Sequence, residues 1–598
     1  MKGRISGLAS FSATVKWCLA LSWKTSIFYT LVRIAADIVT PLLAIFAAFV
    51  GKYLIDLISG SWQVDRAERV LAVFIAVLFA IALVRMVGAK ATQYAQAMQS
   101  EKINAFISMD MMNRSLSADL EFFDNPDYYD RLRSATQDSM SVSYILWNVL
   151  SCMSAAVSFV GAFVILLGAN PLYGIIMMAA AIPASIAAAK YTKLLYMLSL
   201  EQINENRQLG YVQFLSSERA YAQDVRLFNA GARLKERYRR IWDALFIKRK
   251  TVTRKRSILS ALLECMPEGV VVGIGAHIAY RALSGYATVG DYVLFTGLAA
   301  QLWGAMHMFS SSALQIYDNK LKIENIKKLD TFENKIQDTG TLHLTKVESI
   351  AFENVTFIYP GTTKPAVQDV TFHLANKEKT VLVGVNGSGK STLIKLLLRM
   401  YNPNEGRILI NGHDIKEYKL EALRANFSVY FQEMHNYSFS LRENFTIADK
   451  SGTDQHAEEM LQAAHGQDIL NKAAAGMDTP LTRHFDPSGL ELSGGQHQKI
   501  SLARALFRTH TMLILDEPSS NLDPKAEHEV FQSLVTLTQD KLTLFTSHRL
   551  SNIALANKII VMENGRIIEA GTQAELLANK HRFAELFAYQ KEKFETTK

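Results

Sequence analysis

The sequence predicts a multidomain chain in which an all-α polytopic membrane domain of six transmembrane helices is followed by an α/β phosphate-loop domain. Three observations carry this expectation. The first half contains six apolar stretches long enough to cross a bilayer as helices. From residue 342 short β-rich runs alternate with helical segments. One such strand runs into a glycine-rich phosphate loop at 384–391, and a helix leaves it.

The bulk figures agree once the chain is divided. Its 598 residues exceed what one hydrophobic core organises, since cores stop growing at roughly 250–300 residues. The net charge of +8 separates into +10 over residues 1–341 and −2 over 342–598. The basic excess therefore belongs to the apolar half, which excludes a soluble nucleic-acid binder with a basic face. Cys18, Cys152 and Cys265 all lie in or beside apolar runs, which excludes a disulfide framework or a zinc site. The opening apolar run, from about Thr25, is followed by further runs of spanning length, so it reads as a first span and not as a signal peptide.

The six stretches are 26–50, 70–89, 143–168, 172–190, 258–282 and 289–312. Gly168-Ala-Asn-Pro171 makes a tight turn between the third and fourth, and Ser284 to Gly290 one between the fifth and sixth. The second-to-third and fourth-to-fifth connections are long, polar and poor in Gly and Pro, so the membrane helices are expected to continue beyond the bilayer through them. The segment 190–257 holds sixteen basic residues, the two tight turns none, and Lys2, Arg4, Lys16 and Lys24 flank the first span. That asymmetry places both termini, the long loops and the second domain on the cytoplasmic side. The expected boundaries are a membrane domain over 1–320, a charged helical linker over 321–341 and a nucleotide-binding domain over 342–598.

In the second domain, Gly384-Val-Asn386-Gly387-Ser388-Gly389-Lys390-Ser391 satisfies the phosphate-loop pattern, and Thr392 opens the following helix. Its glycines let backbone N–H groups approach phosphate oxygens, and the helix N-terminus adds a positive dipole end. Lys390 is expected to reach the β- and γ-phosphates and the Ser391 hydroxyl to ligate Mg²⁺. The strand Met512-Leu-Ile-Leu-Asp516-Glu517 ends in two carboxylates, which are costly to bury without a cation or a reacting water. Asp516 suits Mg²⁺, and Glu517 is placed to polarise the attacking water. Leu492-Ser493-Gly494-Gly495-Gln496 then opens a helix and reads as a second anion nest.

At this pentapeptide the sequence resembles the ATP-binding cassette (ABC) transporters, whose signature it matches just upstream of the acidic strand. The resemblance implies ATP as the nucleotide, Mg²⁺ as the metal, and a head-to-tail cassette dimer in which Ser493 to Gln496 close over the γ-phosphate held by the opposite subunit. It further implies that Tyr359 stacks on adenine, that Gln432 joins Mg²⁺ to the membrane-domain contact, that Asp523 in Ser520-Asn-Leu-Asp523 touches the partner cassette, and that His548 contacts the γ-phosphate. Two positions depart from the family pattern: Asn521 stands where Ala is usual, and His497 follows the signature where Arg, Lys or Trp is commoner. Neither removes a catalytic group. Glu517 and His548 are both present, which favours a homodimer with two competent sites over a heterodimer.

Six spans and one cassette on a single chain resemble bacterial half-size ABC exporters, and the stretch Leu490 to Ala503 resembles lantibiotic and peptide exporters. The expected activity is ATP-hydrolysis-driven export of a peptide, lipid or drug-like substrate across the bacterial plasma membrane by alternating access, with a lipid flippase of the same architecture as the alternative. No nucleic acid enters this reading. With about 25 residues before the first span, no peptidase domain is expected there. Asp119 to Asp130 and Ala222 to Ala230 look like the two coupling segments that meet the cassettes. Glu264 and Glu268 lie four apart around Pro267 in the fifth span and share a face at a kink, and Arg33 and Asp37 have the same spacing in the first. Charges at such depth mark substrate paths, structural pairs or hydrated cavities. Should the glutamates bind substrate, cationic peptides or drugs are favoured. Met306 to Phe309 offer a soft, adaptable wall or lipid-facing packing.

Overall fold

The computed structural model describes residues 2–125, 128, 132, 140–328, 332–432, 435–518, 524–547, 553 and 556–595. The chain divides into two compact units: residues 1–117 with 130–331, and residues 118–129 with 332–598. The short segment 118–129 thus leaves the helices that flank it in sequence and belongs with the cassette.

The first unit is all helical. α1 (Lys2–Thr25), α2 (Ile27–Ile58) and α3 (Ala67–Ser117) are followed, after the short α4 (Leu120–Phe123) of the second unit, by α5 (Met140–Ala169), α6 (Pro171–Glu201), α7 (Ile203–Ser217), α8 (Ala222–Leu227), α9 (Gly231–Leu283) and α10 (Val289–Lys328). Among the described residues α2, α3, α5, α6 and α9 are long and apolar enough to cross a membrane, and α10 is a continuous helix of 40 residues over the sixth apolar stretch. α3 and α9 run for 51 and 53 residues, roughly 75–80 Å at about 1.5 Å per residue. A bilayer core takes only about 30 Å of that. Their polar halves continue unbroken outside the apolar stretch because the connecting sequence offers no Gly–Pro punctuation.

α1 carries too few consecutive apolar residues to read as a span, and a basic flank was all the sequence suggested there. The structure makes it a helix clasped to its neighbours: Gln99 donates to the hydroxyls of Ser22 at 2.5 Å and Thr30 at 2.8 Å. The unit's core is a layer of Ala162, Leu166, Met177, Ile278, Leu298 and Leu302 from α5, α6, α9 and α10. Asn170 caps α6 ahead of Pro171 at its first turn. Gly290 opens α10 against α2: its N–H donates to Asp56 at 2.9 Å, and any Cβ there would strike the Lys52 carbonyl. Arg33 and Asp37 pair with each other at 2.7 Å, the structural member of the readings open for them.

The second unit packs two sheets. An antiparallel one of order β2-β1-β4-β5 is formed by Val367–Leu374, Ile350–Phe357, Glu405–Ile410 and His413–Asp414. The other runs β10-β9-β3-β8-β7-β6, with Lys379–Val383 (β3), Phe427–Tyr430 (β6), Met512–Asp516 (β7), Leu542–Ser547 (β8), Lys558–Glu563 (β9) and Arg566–Gly571 (β10). β6, β7, β8, β3 and β9 are mutually parallel, and β7 and β8 are buried at every position, as strands covered on both faces must be. Parallel order places the carboxyl ends of β3, β8 and β7 side by side, where ligands of such sheets bind.

Candidate functional site

β3 ends at Val383, and the phosphate loop turns over it into α11 (Lys390–Leu397). Gly387 and Gly389 make the turn with φ of +78° and +105°, a region closed to most side chains, and a Cβ at Gly389 would meet the Ala366 carbonyl at 2.7 Å. Lys390 is buried, and its ammonium donates back to the carbonyls of Gly384 at 2.9 Å and Val385 at 3.2 Å. Burial lowers its pKa, while Glu517 and Asp516 pull the other way. Among the described residues the Ser388 hydroxyl is buried without a partner. An orphan hydroxyl beside a positively charged, N–H-rich loop fits an anion.

A cavity of about 320 Å³ opens over this loop, walled by Tyr359, Asn386, Gly387, Gly389, Lys390, Ser391, Thr392, Gln432 and Glu517. Nine positions singled out from sequence are thereby brought to one place. Tyr359 is held from three sides: its hydroxyl lies 3.2 Å from that of Thr392, its ring meets Phe357 and Tyr401 edge-on at 4.9 and 5.5 Å, and the Lys395 ammonium lies 5.8 Å from its centroid. Asp516 ends β7, buried, and accepts a hydrogen bond from Thr546 at 2.7 Å. The same hydroxyl accepts from the Glu517 N–H at 2.9 Å, and Glu517 itself sits at φ +53°. A non-glycine residue in that region is strained and must be held there. Thr546, on the neighbouring strand, holds it; nothing in the sequence marked this threonine.

The signature residues lie elsewhere. Ser493 caps α12 (Gly494–Phe507) in a reciprocal capping box with Gln496, whose amide also donates to Asp468 at 2.6 Å. Gln496 is therefore committed within its own cassette, whereas Ser493 and Gly494 are exposed. None of the four walls the cavity over the phosphate loop. His497 is tied through its Nδ1 and carbonyl to the Asn436 amide at 3.0 and 2.9 Å, and burial lowers its pKa. Asp523, Asn521 and His548 lie outside the described residues.

The segment 118–129 is fixed to the cassette by contacts that sequence spacing could not show. The Asp119 carboxylate accepts from the backbone N–H groups of Lys335 at 2.6 Å and Ile336 at 3.0 Å, and Lys335 reaches Glu121 at 2.9 Å. Phe122, Tyr128 and Phe332 form an aromatic cluster with centroids 5.0–5.5 Å apart. Tyr401, already edge-on to Tyr359, donates to Asp124 at 2.5 Å. The other predicted coupling segment, Ala222 to Ala230, belongs to the first unit, and its Leu227 and Phe228 are 77% and 74% exposed.

The architecture and the cradle are those of an ABC transporter. Residues 27–306 match the family model described as the ABC transporter transmembrane region, and residues 367–520 the one described as ABC transporter. With both on one chain it belongs to the half-size ABC exporters, multi-pass membrane proteins in which ATP binding and hydrolysis by the cassette drive export. It is 29% identical to the subtilin transport ATP-binding protein SpaT of Bacillus subtilis over 94% of this chain and 91% of that one. To the nisin transport ATP-binding protein NisT of Lactococcus lactis the figures are 25%, 94% and 93%. The ATP-dependent lipid A-core flippase of Methylococcus capsulatus is 27% identical over 98% of this chain and 95% of its own. The fold is that of a bacterial Atm1-family ABC exporter solved with ATP bound, at a TM-score of 0.77 and 23% identity over 93% of this chain and 98% of that one.

Proposed function

We propose that two copies of this chain form a homodimeric exporter in the bacterial plasma membrane that couples MgATP hydrolysis to outward movement of a peptide. The observation that carries the chemistry is the cavity where Tyr359, Lys390, Ser391, Gln432 and Glu517 meet. Tyr359 offers its ring to adenine. Lys390 exchanges the Gly384 and Val385 carbonyls for phosphate oxygens, while the N–H groups of the loop from Asn386 to Thr392 hold the rest of the triphosphate. Ser391, Gln432 and Asp516 supply hydroxyl, amide and carboxylate oxygens, a hard donor set suited to Mg²⁺. Bound there, the ion neutralises charge on the β- and γ-phosphates.

Glu517 accepts a proton from the attacking water, and Thr546 keeps it where it can do so. His548 contacts the γ-phosphate in this reading. Because Ser493, Gly494 and Gly495 stand apart from the phosphate loop of their own cassette, they serve the nucleotide of the partner, as does Asp523. Full-length similarity to SpaT and NisT supports a peptide cargo, and that to the lipid A-core flippase keeps a lipid as the second reading. The test is hydrolysis in nanodiscs by the Glu517→Gln variant. Loss of one acid–base group is expected to cut turnover about 10²–10⁴-fold while ATP binding persists. Hydrolysis at the parent rate removes Glu517 from this role.

A further inference from the structure

The membrane helices line two clefts that share Ser185, Ser310 and Leu314 in their walls. One, of about 510 Å³, is apolar, with Phe159, Val160, Met306 and Phe309. The other, of about 550 Å³, carries charge: Arg249, Arg256, Glu264 and Asp318 line it together with Trp303 and His307. A third space of about 390 Å³ shares Glu264, Trp303 and His307 and adds Glu268. Met306, His307 and Phe309, for which the sequence left a soft wall or lipid-facing packing open, line these clefts.

Arg249, Arg256, Glu264 and Glu268 follow one another on α9 at intervals of seven, eight and four, so they form one stripe. Along the axis Arg256 and Glu264 are about 12 Å apart, too far to pair directly. The stripe is therefore graded, basic at the end beside the basic loop and acidic further in, around Pro267. Glu264 and Glu268 stand one turn apart, where like charges repel. Among the described residues neither has an ion-pair partner. What Glu268 does have is the Trp303 indole, which donates to it at 3.1 Å and is met edge-on by His307 at 5.8 Å. This contact fixes an aromatic ring beside two uncompensated carboxylates, the combination that recognises an organic cation by charge and by its ring quadrupole.

We propose that Glu264, Glu268 and Trp303 form a subsite for a primary ammonium or guanidinium group on an amphipathic substrate, whose apolar body occupies the Phe159–Phe309 cavity. The proposal rests on the exporter reading and deepens it. The cation has two chemical sources, a Lys or Arg side chain of a peptide or the amine of an aminophospholipid. The test is equilibrium binding, without ATP, to the full-length protein in phosphatidylcholine nanodiscs. One probe is a dansylated twelve-residue peptide alternating Leu and Lys, against the same peptide with acetylated lysines. The other is dansyl-tailed phosphatidylethanolamine against its N-acetylated form.

At least one amine probe is expected to bind tenfold or more tightly than its acetylated counterpart. Preference in the peptide pair identifies a peptide cation, and preference in the lipid pair alone an aminolipid. The double variant Glu264→Gln, Glu268→Gln is expected to erase that preference by weakening the amine probe alone. Equal affinity of amine and acetylated forms in both pairs overturns the proposal, as does a folded double variant that keeps the parent preference. The acetylation comparison needs no variant. Because no hydrolysis is read, failure here is distinct from failure of the Glu517 test.

Discussion

Thr546 shows how much a single hydroxyl can be asked to do. It donates to the buried Asp516 carboxylate and accepts from the Glu517 N–H, so it fixes two neighbouring acids of different roles. Thr546→Val keeps the shape and removes both bonds. Leaving buried partners unmatched costs about 1–3 kcal/mol each, and relaxing the φ of +53° at Glu517 displaces its carboxylate. Turnover is expected to fall about 10–100-fold with little change in ATP affinity, because Thr546 positions the acids and does not touch the nucleotide. Steady-state hydrolysis and nucleotide-binding titrations separate the two effects; a matching loss of affinity assigns the threonine to binding instead. His510 is a residue-scale case of a different kind. Its Nδ1–H donates to the Arg508 carbonyl and its Nε2 accepts from Lys541 at 3.2 Å, so the ring is neutral, and burial holds its pKa down at about 4. The unfolded chain binds this proton near the ordinary value of about 6.5. Stability is therefore full above that value and falls as pH drops toward about 4, by at most about 1.4 kcal/mol per unit. The thermal midpoint of the parent should decline over this window more steeply than that of His510→Gln; parallel curves place the sensitivity elsewhere.

At the level of elements, the segment around α4 is where the cassette meets sequence that interrupts the membrane helices. Tyr401 touches Tyr359 with its ring and Asp124 with its hydroxyl, so the proposed adenine platform and this segment share one side chain. Burial first, then the Asp124 carboxylate, raises the Tyr401 pKa, so it stays a donor at physiological pH. Tyr401→Phe and Asp124→Ala each remove the same bond, worth about 1.5–3 kcal/mol for a charged acceptor. Each should lower the thermal midpoint of the full chain, and the double variant should lose no more than the worse single one. Additive losses mean that the two side chains act independently. This link was not legible beforehand, and the reason is physical: Asp119, Asp124, Phe332 and Tyr401 come from three stretches of chain, and spacing reports only neighbours within one. The phosphate-loop residues, the Asp516–Glu517 strand end and the apolar stretches were legible because each is a local pattern. Thr546 stayed hidden because its role exists only through the β7–β8 pairing. Gln496 was read as facing phosphate, yet its side chain closes a capping box and holds Asp468.

Across the whole molecule the two halves of the proposed nucleotide site do not meet within one chain. The phosphate loop and Glu517 wall one cavity, while Ser493 and Gly494 are exposed away from it. A second copy completes the site if the cassettes pair head to tail, and a twofold arrangement makes two such sites with every group supplied. That symmetry gives a decisive mixture experiment. Lys390→Met removes the phosphate-binding ammonium, and Gly494→Asp places a carboxylate at the signature, where it repels the γ-phosphate. Alone, each variant should hydrolyse ATP at a few per cent of the parent rate or less. Co-expressed with different tags and purified as the mixed dimer, they should concentrate both lesions in one site and leave the other intact. Hydrolysis then returns to between a tenth and a half of the parent rate, the spread depending on how far the two sites act together. If instead each cassette used its own signature, both sites of the mixed dimer would carry one lesion, and activity would remain at the level of the single variants. The recovered activity is thus a direct reading of whether the partner's Ser493–Gly495 segment belongs to the site that Lys390 and Glu517 begin.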